Sequence, residues 1–498
     1  MRHRARLTLS TLALIAGNAF APQAQASGFQ LREQSPLSLG NAFAGISAGG
    51  GDLTSLYFNP AVMTQYDGVQ FTFGGTYVGL SAKINNASGS RTSDLTSLGF
   101  NVAPVTGAAL SPISGGSSHP NAAISAILPE FNIMYSPTQD LRVGLSVNVP
   151  FGLATEYNAS WVGRYHALKT DLKTIDIAPS LAYRVSKEFS FGVAFIARRA
   201  DAELTNGVDY GTALALKVGS GLAAAGLSPV AAPGGNSPVA NVAMGAPNAA
   251  FGIPGFATPG AWDGAAGLKG GGWGYGFKVG ATYQPSQDLR FGLAYNSAMT
   301  MTLKGDASFQ FPATMPATDL GALNAAGLKN GRGSADLSLP ATASLGFDWK
   351  TSPTFTLQGE VARTTWSKFK ELRVKFDTGA PDSVTDESWK DSTFISLGGT
   401  WKTNTPWTFR AGLAFDTSAV DDNHRTPRIP DNDRKWVSVG LSYTLSKKAT
   451  IDVGYSRLFI ADGKMNLSAA GPNQTRGNLT GTILAEINLF GAGFRYNF

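Results

Sequence analysis

Alternation of apolar and polar side chains is the dominant pattern along this chain. In LRVGLSVNVPF, residues 141–151, the odd positions are Leu, Val or Phe, and the even positions up to 148 are Arg, Gly, Ser and Asn. The stretch WTFRAGLAFDT, 407–417, alternates in the same way. Similar runs surround Phe191, Phe277, Phe291, Phe347, Ile395, Val437 and Val453. A period of two predicts β-strands that have one apolar face.

Six short polar turns separate pairs of these runs. They are SPTQD (136–140), SKEF (186–189), QPSQD (284–288), KTSPT (350–354), KTNTP (402–406) and SKKA (446–449). Much longer connections rich in Gly, Ser, Asn and Asp lie between them. Short turns on one side and long loops on the other are the rule for transmembrane barrels. Six short turns and seven long loops predict an all-β fold, a 14-stranded antiparallel transmembrane β-barrel.

The first 26 residues have the features of a cleaved signal peptide. Three arginines precede an apolar run from Leu7 to Ala21, and Ala24-Gln25-Ala26 matches a cleavage site. The apolar run is shorter than the roughly 20 residues of a membrane-spanning helix. The chain has no cysteine and only 15% charged residues, whereas soluble domains have about 25%. Export and this composition predict a location in a bacterial outer membrane.

Residues 27–68 do not alternate and are rich in small side chains, as in LGNAFAGISAGGG. A barrel of 14 strands would have an open lumen unless something filled it. We therefore predict that residues 27–68 form an N-terminal hatch inside the lumen and that residues 69–498 form the barrel. Asn59, Pro60 and Ala61 are interpreted as the end of the hatch, because proline removes a backbone donor and keeps the preceding residue out of helical geometry.

An Ala-, Gly- and Pro-rich stretch at about 207–272 is the largest irregularity and is predicted to be an external loop. Its apolar residues are repeatedly interrupted by proline. Two interpretations remain open. The stretch is either a low-complexity insertion or an apolar surface that first captures a hydrophobic ligand.

Several long motifs resemble the outer-membrane long-chain fatty-acid transporter (FadL) family, which includes channels for aromatic hydrocarbons. They are SGFQLREQSPLSLGNAFAG (27–45), YFNPAVMTQYD (57–67), PFGLATEY (150–157), TTWSKF (364–369), WTFRAGLAFDTSAV (407–420) and IPDNDRKWVSVG (429–440). The resemblance covers nearly the whole mature chain. It implies a 14-stranded barrel with a hatch and passive, hatch-gated uptake of hydrophobic molecules.

The resemblance also implies a lateral exit at a kinked strand. Pro150 and Gly152 flank Phe151 within an alternating strand, and Pro and Gly are the residues that break a strand ladder. An ordinary bulge near the external rim is the alternative. Phe29 matches the aromatic residue that lies at the high-affinity pocket in this family, and the tripeptide 59–61 matches its hatch motif near the kink.

A carboxylate ligand would require a basic partner, ideally an arginine. Arg373, in KELRVKF, matches a position where fatty-acid transporters of this family carry lysine. A second basic position of those members is Asn206 here, which leaves an uncharged hydrocarbon open as the substrate. Arg198, Arg199 and Lys375 are nearby cations that could compensate.

No enzymatic site is predicted. Gly45-Ile46-Ser47-Ala48-Gly49 matches G-x-S-x-G, but that motif requires a strand before it and a helix after it. If this serine belonged to a hydrolase, His166 would be the best candidate for its histidine partner. The three histidines of the mature chain lack metal-ligand spacing, so we predict no metal and no cofactor. Removing the signal lowers the net charge from +6 to +3, and without a basic stripe no nucleic acid is predicted.

The predicted partners are a long-chain fatty acid or other hydrophobic small molecule, outer-membrane lipid and lipopolysaccharide. The terminal alternating strand NLFGAGFRYNF (488–498) is of the type that barrel-assembly machinery engages. The protein is predicted to be a monomer. Two other functions stay open: a surface adhesin or phage receptor that acts through its external loops, and a general hydrophilic porin. Fatty acid and hydrocarbon substrates are not distinguished.

Overall fold

The computed structural model describes residues 28–91, 112–214 and 262–498. These residues form one antiparallel sheet of 20 strand segments, and the sheet closes because the first segment pairs with the last. Six strands are each broken into two segments, so the closed barrel has 14 strands. The predicted fold class and strand number are therefore confirmed.

In chain order the segments are β1 (Val69–Ser90), β2 (Ala126–Tyr135), β3 (Leu141–Asn148), β4 (Gly152–Glu156), β5 (Lys169–Arg184), β6 (Phe189–Asp209), β7 (Asp263–Ser286), β8 (Leu289–Asn296), β9 (Met299–Gln310), β10 (Gly331–Leu339), β11 (Thr342–Lys350), β12 (Phe355–Thr364), β13 (Glu371–Phe376), β14 (Ser383–Asp386), β15 (Ser392–Lys402), β16 (Trp407–Asp416), β17 (Arg434–Thr444), β18 (Ala449–Ile460), β19 (Gly463–Leu467) and β20 (Asn478–Asn497). The broken strands are β3/β4, β8/β9, β10/β11, β12/β13, β14/β15 and β18/β19.

Each of the six predicted short turns joins two strands that pair with each other. At the opposite end, β6 continues to Asp209 and β7 begins at Asp263. Their connection is thus shorter than the predicted external loop at about 207–272, because the glycine-rich residues at both ends of that stretch belong to strands. Within it, residues 215–261 lie outside the described residues.

The outer wall of the barrel is apolar and the inner wall is mixed. On β6, Phe191, Val193 and Phe195 are exposed, whereas Gly192 and Ala194 between them are buried. Alternation of this kind places apolar side chains in lipid. No helix in the described part of the chain is both long and apolar enough to cross a membrane.

The N-terminal segment, residues 28–68, packs against the inner wall. It contains the short helix α1 (Pro36–Leu39) and three 3-10 helices, Ile46–Ala48, Leu53–Tyr57 and Pro60–Gln65. Their contacts reach strands all around the ring, from β1, β2 and β3 through β6, β8 and β11 to β17, β18 and β20. Most residues of the segment are buried.

Glycines on the inner faces of the strands allow this close approach. A Cβ atom at Gly280 would lie 1.9 Å from Asn59 Oδ1, and one at Gly292 would lie 1.9 Å from Ser47 O. Real Cβ atoms do not come so close, so only glycine fits at these positions.

We therefore expect Gly280→Ala to loosen the N-terminal segment. Overpacking of this kind costs about 1–3 kcal/mol, and the segment should exchange its amide hydrogens faster and leak ions several-fold more in planar bilayers. Gly75→Ala is the matched control, because its Cβ would be no closer than 3.3 Å to any other group. Equal conductance of the two variants would contradict the expectation.

Candidate functional site

An apolar pocket lies inside the barrel, in the half that carries the long external connections. We call it the inner pocket. Its lining includes Leu153, Leu172, Leu268, Leu303, Leu337 and Ile429, with Phe29 among them. Its cavity volume is only about 50 Å³, whereas pockets that bury small molecules measure about 300–1,000 Å³. The pocket is therefore nearly closed.

Phe29 belongs to a cluster of five aromatic rings beside this pocket. Its ring centroid lies 4.8 Å from that of Trp366, 5.7 Å from Trp389, and 5.9 Å from both Phe151 and Phe369, always edge to face. Edge-to-face pairs contribute about 0.5–1.5 kcal/mol each beyond their buried area. Phe29 is thus held firmly in the wall of the pocket.

A larger cavity of about 770 Å³ lies next to the inner pocket. The two share Leu204, Leu268, Leu372 and Arg428 in their linings, so they are contiguous. Loop residues such as Pro472 and Arg476 line the larger cavity, which lies on the side of the long external connections. We call it the outer cavity.

The strand wall is open at the break between β3 and β4. Residues 143–147 of β3 pair with β2, but β4 pairs with β5 alone. Residues 126–130 of β2 pair only with β1. The ladder between β2 and its other neighbour is therefore missing over several residues, until Ala123 bridges Thr155.

The N-terminal segment supplies hydrogen bonds to this break. Leu31 N donates to Pro150 O at 2.8 Å, and Gly152 N donates to Phe29 O at 3.2 Å. The Gln34 side chain donates to Val149 O at 2.6 Å and accepts from Val149 N at 3.1 Å. Residues 29–34 thus replace the lost ladder from inside the barrel.

The structure brings four predicted site residues together. Phe29, Pro150, Phe151 and Gly152 meet at the break, and Phe29 also lines the inner pocket. Gln34, which fastens the same break, was not singled out from the sequence, although it lies within the N-terminal motif at 27–45.

Asn59, Pro60 and Ala61 lie elsewhere. Asn59 caps the helix Pro60–Gln65 by accepting from Ala61 N at 3.0 Å. Its amide donates to Ser47 O at 2.7 Å and to Ala281 O at 3.1 Å. The contacts found for this tripeptide lead to the inner faces of β6, β7 and β8 rather than to the break. Its geometry is that of a helix start fixed against the wall.

Arg373 lies on the rim of the outer cavity. Its side chain is 38% exposed and is ion-paired with Glu371 at 2.6 Å and with Asp382 at 3.0 Å. Two carboxylates already neutralise this guanidinium, which leaves less charge for a ligand.

Arg428 is the cation that lies where the two cavities meet. It is 7% exposed and donates to Lys169 O at 3.0 Å, Thr205 O at 3.1 Å and Asn206 Oδ1 at 3.5 Å. It forms no ion pair with any carboxylate in residues 28–91, 112–214 and 262–498. Burial lowers the pKa of Arg428 to about 10, so it stays charged at neutral pH.

A cation from another loop lies beside Asn206, the position that lacks the second basic residue. Asn206 contacts Arg428, whereas the nearby cations on β6 are neutralised. Arg198 pairs with Asp176 at 2.5 Å, and Arg199 pairs with Asp201 at 2.5 Å. Arg428 is the cation that sequence reasoning missed, although it immediately precedes the motif at 429–440.

The hydrolase candidates are not assembled into a site. Ser47 Oγ lies 2.7 Å from Ser344 Oγ and also contacts Glu360. His166 is buried, and its Nε2 lies 3.1 Å from Gly477 O. Burial lowers the pKa of His166 to about 3, so its ring is neutral rather than a solvated cation. No cluster of metal-ligating side chains occurs among the residues that the structure describes.

Comparison with known proteins gives consistent results. The family model for outer membrane protein transport proteins (OMPP1/FadL/TodX) matches residues 17–498. The long-chain fatty acid transport protein of Escherichia coli O6:H1 is 30% identical over 462 residues, which covers 92% of each chain. Outer membrane protein P1 of Haemophilus influenzae is 28% identical over 499 residues, 98% of each chain.

Solved structures show the same fold. A Pseudomonas aeruginosa FadL homologue has a TM-score of 0.76 at 24% identity and covers 95% of this chain and 100% of that one. The Pseudomonas putida toluene transporter TodX has a TM-score of 0.61 at 16% identity, with coverage of 95% and 100%. Both the family match and the barrel are consistent with an outer-membrane location. This chain belongs to the OMPP1/FadL/TodX family of outer membrane transport proteins.

Proposed function

We propose that this protein is an outer-membrane channel for the passive uptake of long-chain fatty acids or similar hydrophobic molecules. The N-terminal segment acts as the hatch, and the substrate leaves sideways through the break in the third strand. The observation that carries the proposal is that residues 29–34 reach both the inner pocket and the break. The name of the E. coli relative and the name of TodX support the substrate class.

The route starts in the outer cavity and continues into the inner pocket. Apolar side chains of both cavities remove the ligand from water, which contributes about 25 cal/mol per Å² of buried apolar surface. Such a path suits a hydrophobic molecule better than a water-filled pore does.

Entry into the inner pocket requires movement of the hatch. A cavity of about 50 Å³ cannot hold a long acyl chain. Phe29 is the lining residue that belongs to the N-terminal segment, and its backbone oxygen accepts from Gly152 N. A ligand that displaces Phe29 therefore also loosens the hydrogen bonds that close the break.

Release through the break avoids the aqueous periplasm. Ile127 and Phe131 are exposed on the outer side of β2, next to the open ladder. A hydrophobic molecule that passes between β2 and β4 meets these apolar side chains and then membrane lipid.

Arg428 is proposed to attract the ligand's polar head where the cavities meet. Replacing it with glutamine should weaken oleate binding about tenfold and leave an uncharged alkene of the same length unaffected, since hydrogen bonds to charged groups contribute about 1.5–3 kcal/mol. Arg428→Lys keeps the charge and should retain oleate preference. Arg373→Ala should change oleate binding less than about twofold, because two carboxylates already pair with Arg373.

Binding to the purified barrel in lipid nanodiscs tests this proposal. Oleate and the alkene would be titrated into wild type and the three variants. Equal binding of both ligands, unchanged by Arg428→Gln, would show a hydrocarbon channel. A large loss in Arg373→Ala would identify Arg373 as the head-group anchor. Binding of neither ligand would contradict the transport proposal and favour a receptor that acts through its loops.

A further inference from the structure

One side chain of the inner pocket is a buried carboxylic acid without a hydrogen-bond partner. Glu387 lies between β14 and β15, is 1% exposed, and lines the pocket. Neither of its carboxyl oxygens accepts a hydrogen bond from any group that the structure describes. The Trp389 indole N–H faces it without reaching hydrogen-bond geometry. A carboxyl group in apolar surroundings is costly unless a partner satisfies it, so the pocket offers an acceptor to its ligand.

The charges around Glu387 come from separate parts of the chain. Arg428 approaches from the connection between β16 and β17, and Arg476 from the connection between β19 and β20. Both direct their guanidinium groups to backbone or neutral side-chain oxygens, and neither forms an ion pair with a described carboxylate. Three further titratable residues of the described chain lie near it and are partly or fully exposed: Lys370, whose backbone oxygen accepts from Glu387 N, Asp386, which precedes it, and His424, whose Nε2 lies 3.9 Å from Asp386 Oδ2.

We propose that Glu387 determines which polar head the inner pocket accepts, and that it binds a long-chain carboxylic acid by sharing one proton with the ligand's carboxyl group. The inference rests on the proposed function and specifies its substrate class. The proton lies between one oxygen of each carboxyl, so the pair carries one negative charge instead of two. Arg428, at the same end of the pocket, offsets that charge, and the apolar tail lies along the leucines toward Phe29.

Shared-proton binding gives a defined dependence on pH. Burial raises the pKa of Glu387 to about 8. Below that pH Glu387 already holds the proton, and the ligand enters as its carboxylate without net proton exchange. Above it Glu387 is ionised, and binding takes one proton from solution, so affinity for the carboxylate falls about tenfold per pH unit. A long-chain alcohol can donate its O–H to the ionised form, so its affinity does not fall.

Calorimetry of the full chain in nanodiscs tests this inference. Oleate and oleyl alcohol would be titrated at pH 9 in two buffers with different protonation enthalpies, below the pKa of about 10 that burial gives Arg428 and Arg476. We expect wild type to take up close to one proton per oleate and none per oleyl alcohol. Glu387→Gln, which cannot ionise, should bind oleate without proton uptake and without the fall in affinity above pH 8.

The wild-type measurement alone can overturn the inference. Oleate binding without proton uptake at pH 9, or with the same uptake in Glu387→Gln, would show that no proton is shared, while the proposed function would stand. Absence of oleate binding at every pH would instead remove the proposed function together with this inference.

Discussion

Replacing Gly152 with tryptophan will lower oleate uptake about tenfold, equivalent to about 1.4 kcal/mol, while ligand binding to the inner pocket stays within about twofold. A side chain at position 152 points toward Leu31, since its Cβ would lie 3.1 Å from Leu31 Cδ1. Leu153, the next residue, is the one that lines the pocket. An indole at 152 therefore fills the break without filling the binding site.

Uptake of labelled oleate by cells, together with binding to the purified protein, checks this prediction. Gly399→Trp is the matched control, because Gly399 lies on β15, which pairs with a neighbour on both sides. Both variants should show the same heat-dependent gel mobility as wild type. If Gly152→Trp folds and takes up oleate at the wild-type rate, the substrate does not leave through this break.

The strand number was predictable because the relevant signals are local. A barrel strand alternates residue by residue, and a two-strand connection is fixed by a few turn residues. SPTQD and QPSQD mark such connections directly. The alternation of apolar and polar side chains in β3, which ends before Pro150, is enough to predict a strand. The break itself was also predictable, since Pro150 and Gly152 lie within an alternating run.

The inner pocket was less predictable because its residues meet from distant parts of the chain. Phe29 packs against Trp366 and Trp389, more than 330 positions away. No periodic pattern encodes a contact of that range, and the motif TTWSKF indicates a family without indicating a contact with Phe29. Nothing in the sequence marks Glu387, since an acidic residue in the polar stretch DESWKD is typical of a solvated loop.

Charge alone also does not reveal which cation is available to a ligand. Arg373 and Arg428 are the same residue type, and the sequence alone does not distinguish their charges. Their difference lies in neighbours that only folding supplies, Glu371 and Asp382 for the first and neutral oxygens for the second. The role of Arg373 stays a prediction, and the binding experiment above separates the two arginines.

A disulfide between positions 30 and 151 should stop transport reversibly. Gln30 and Phe151 form an isolated antiparallel bridge, and the hydrogen bonds of the flanking residues make it a non-hydrogen-bonded pair, with Cα atoms about 4.5 Å apart. This separation suits a disulfide, whose Cα atoms lie about 4.4–6.8 Å apart. Because the chain has no cysteine, Gln30→Cys with Phe151→Cys introduces the single possible intramolecular bond. Locking this pair prevents residues 29–34 from leaving the break.

The single-cysteine variants control for the loss of the Gln30 and Phe151 side chains. Reduction of the double-cysteine protein with dithiothreitol gives the same protein without the disulfide, which serves as the second control. Disulfide formation would be verified by mass spectrometry of the intact chain. Ligand binding to the outer cavity should persist in the oxidised protein, because none of its lining residues is changed.

The most direct test of hatch gating is therefore oleate uptake by cells that carry the double-cysteine protein, measured before and after reduction. The account predicts uptake at least about tenfold lower when the disulfide is formed, with recovery to the level of the single-cysteine variants after reduction. Equal uptake in the fully oxidised and fully reduced states would show that the N-terminal segment does not have to leave the break, and would contradict the account.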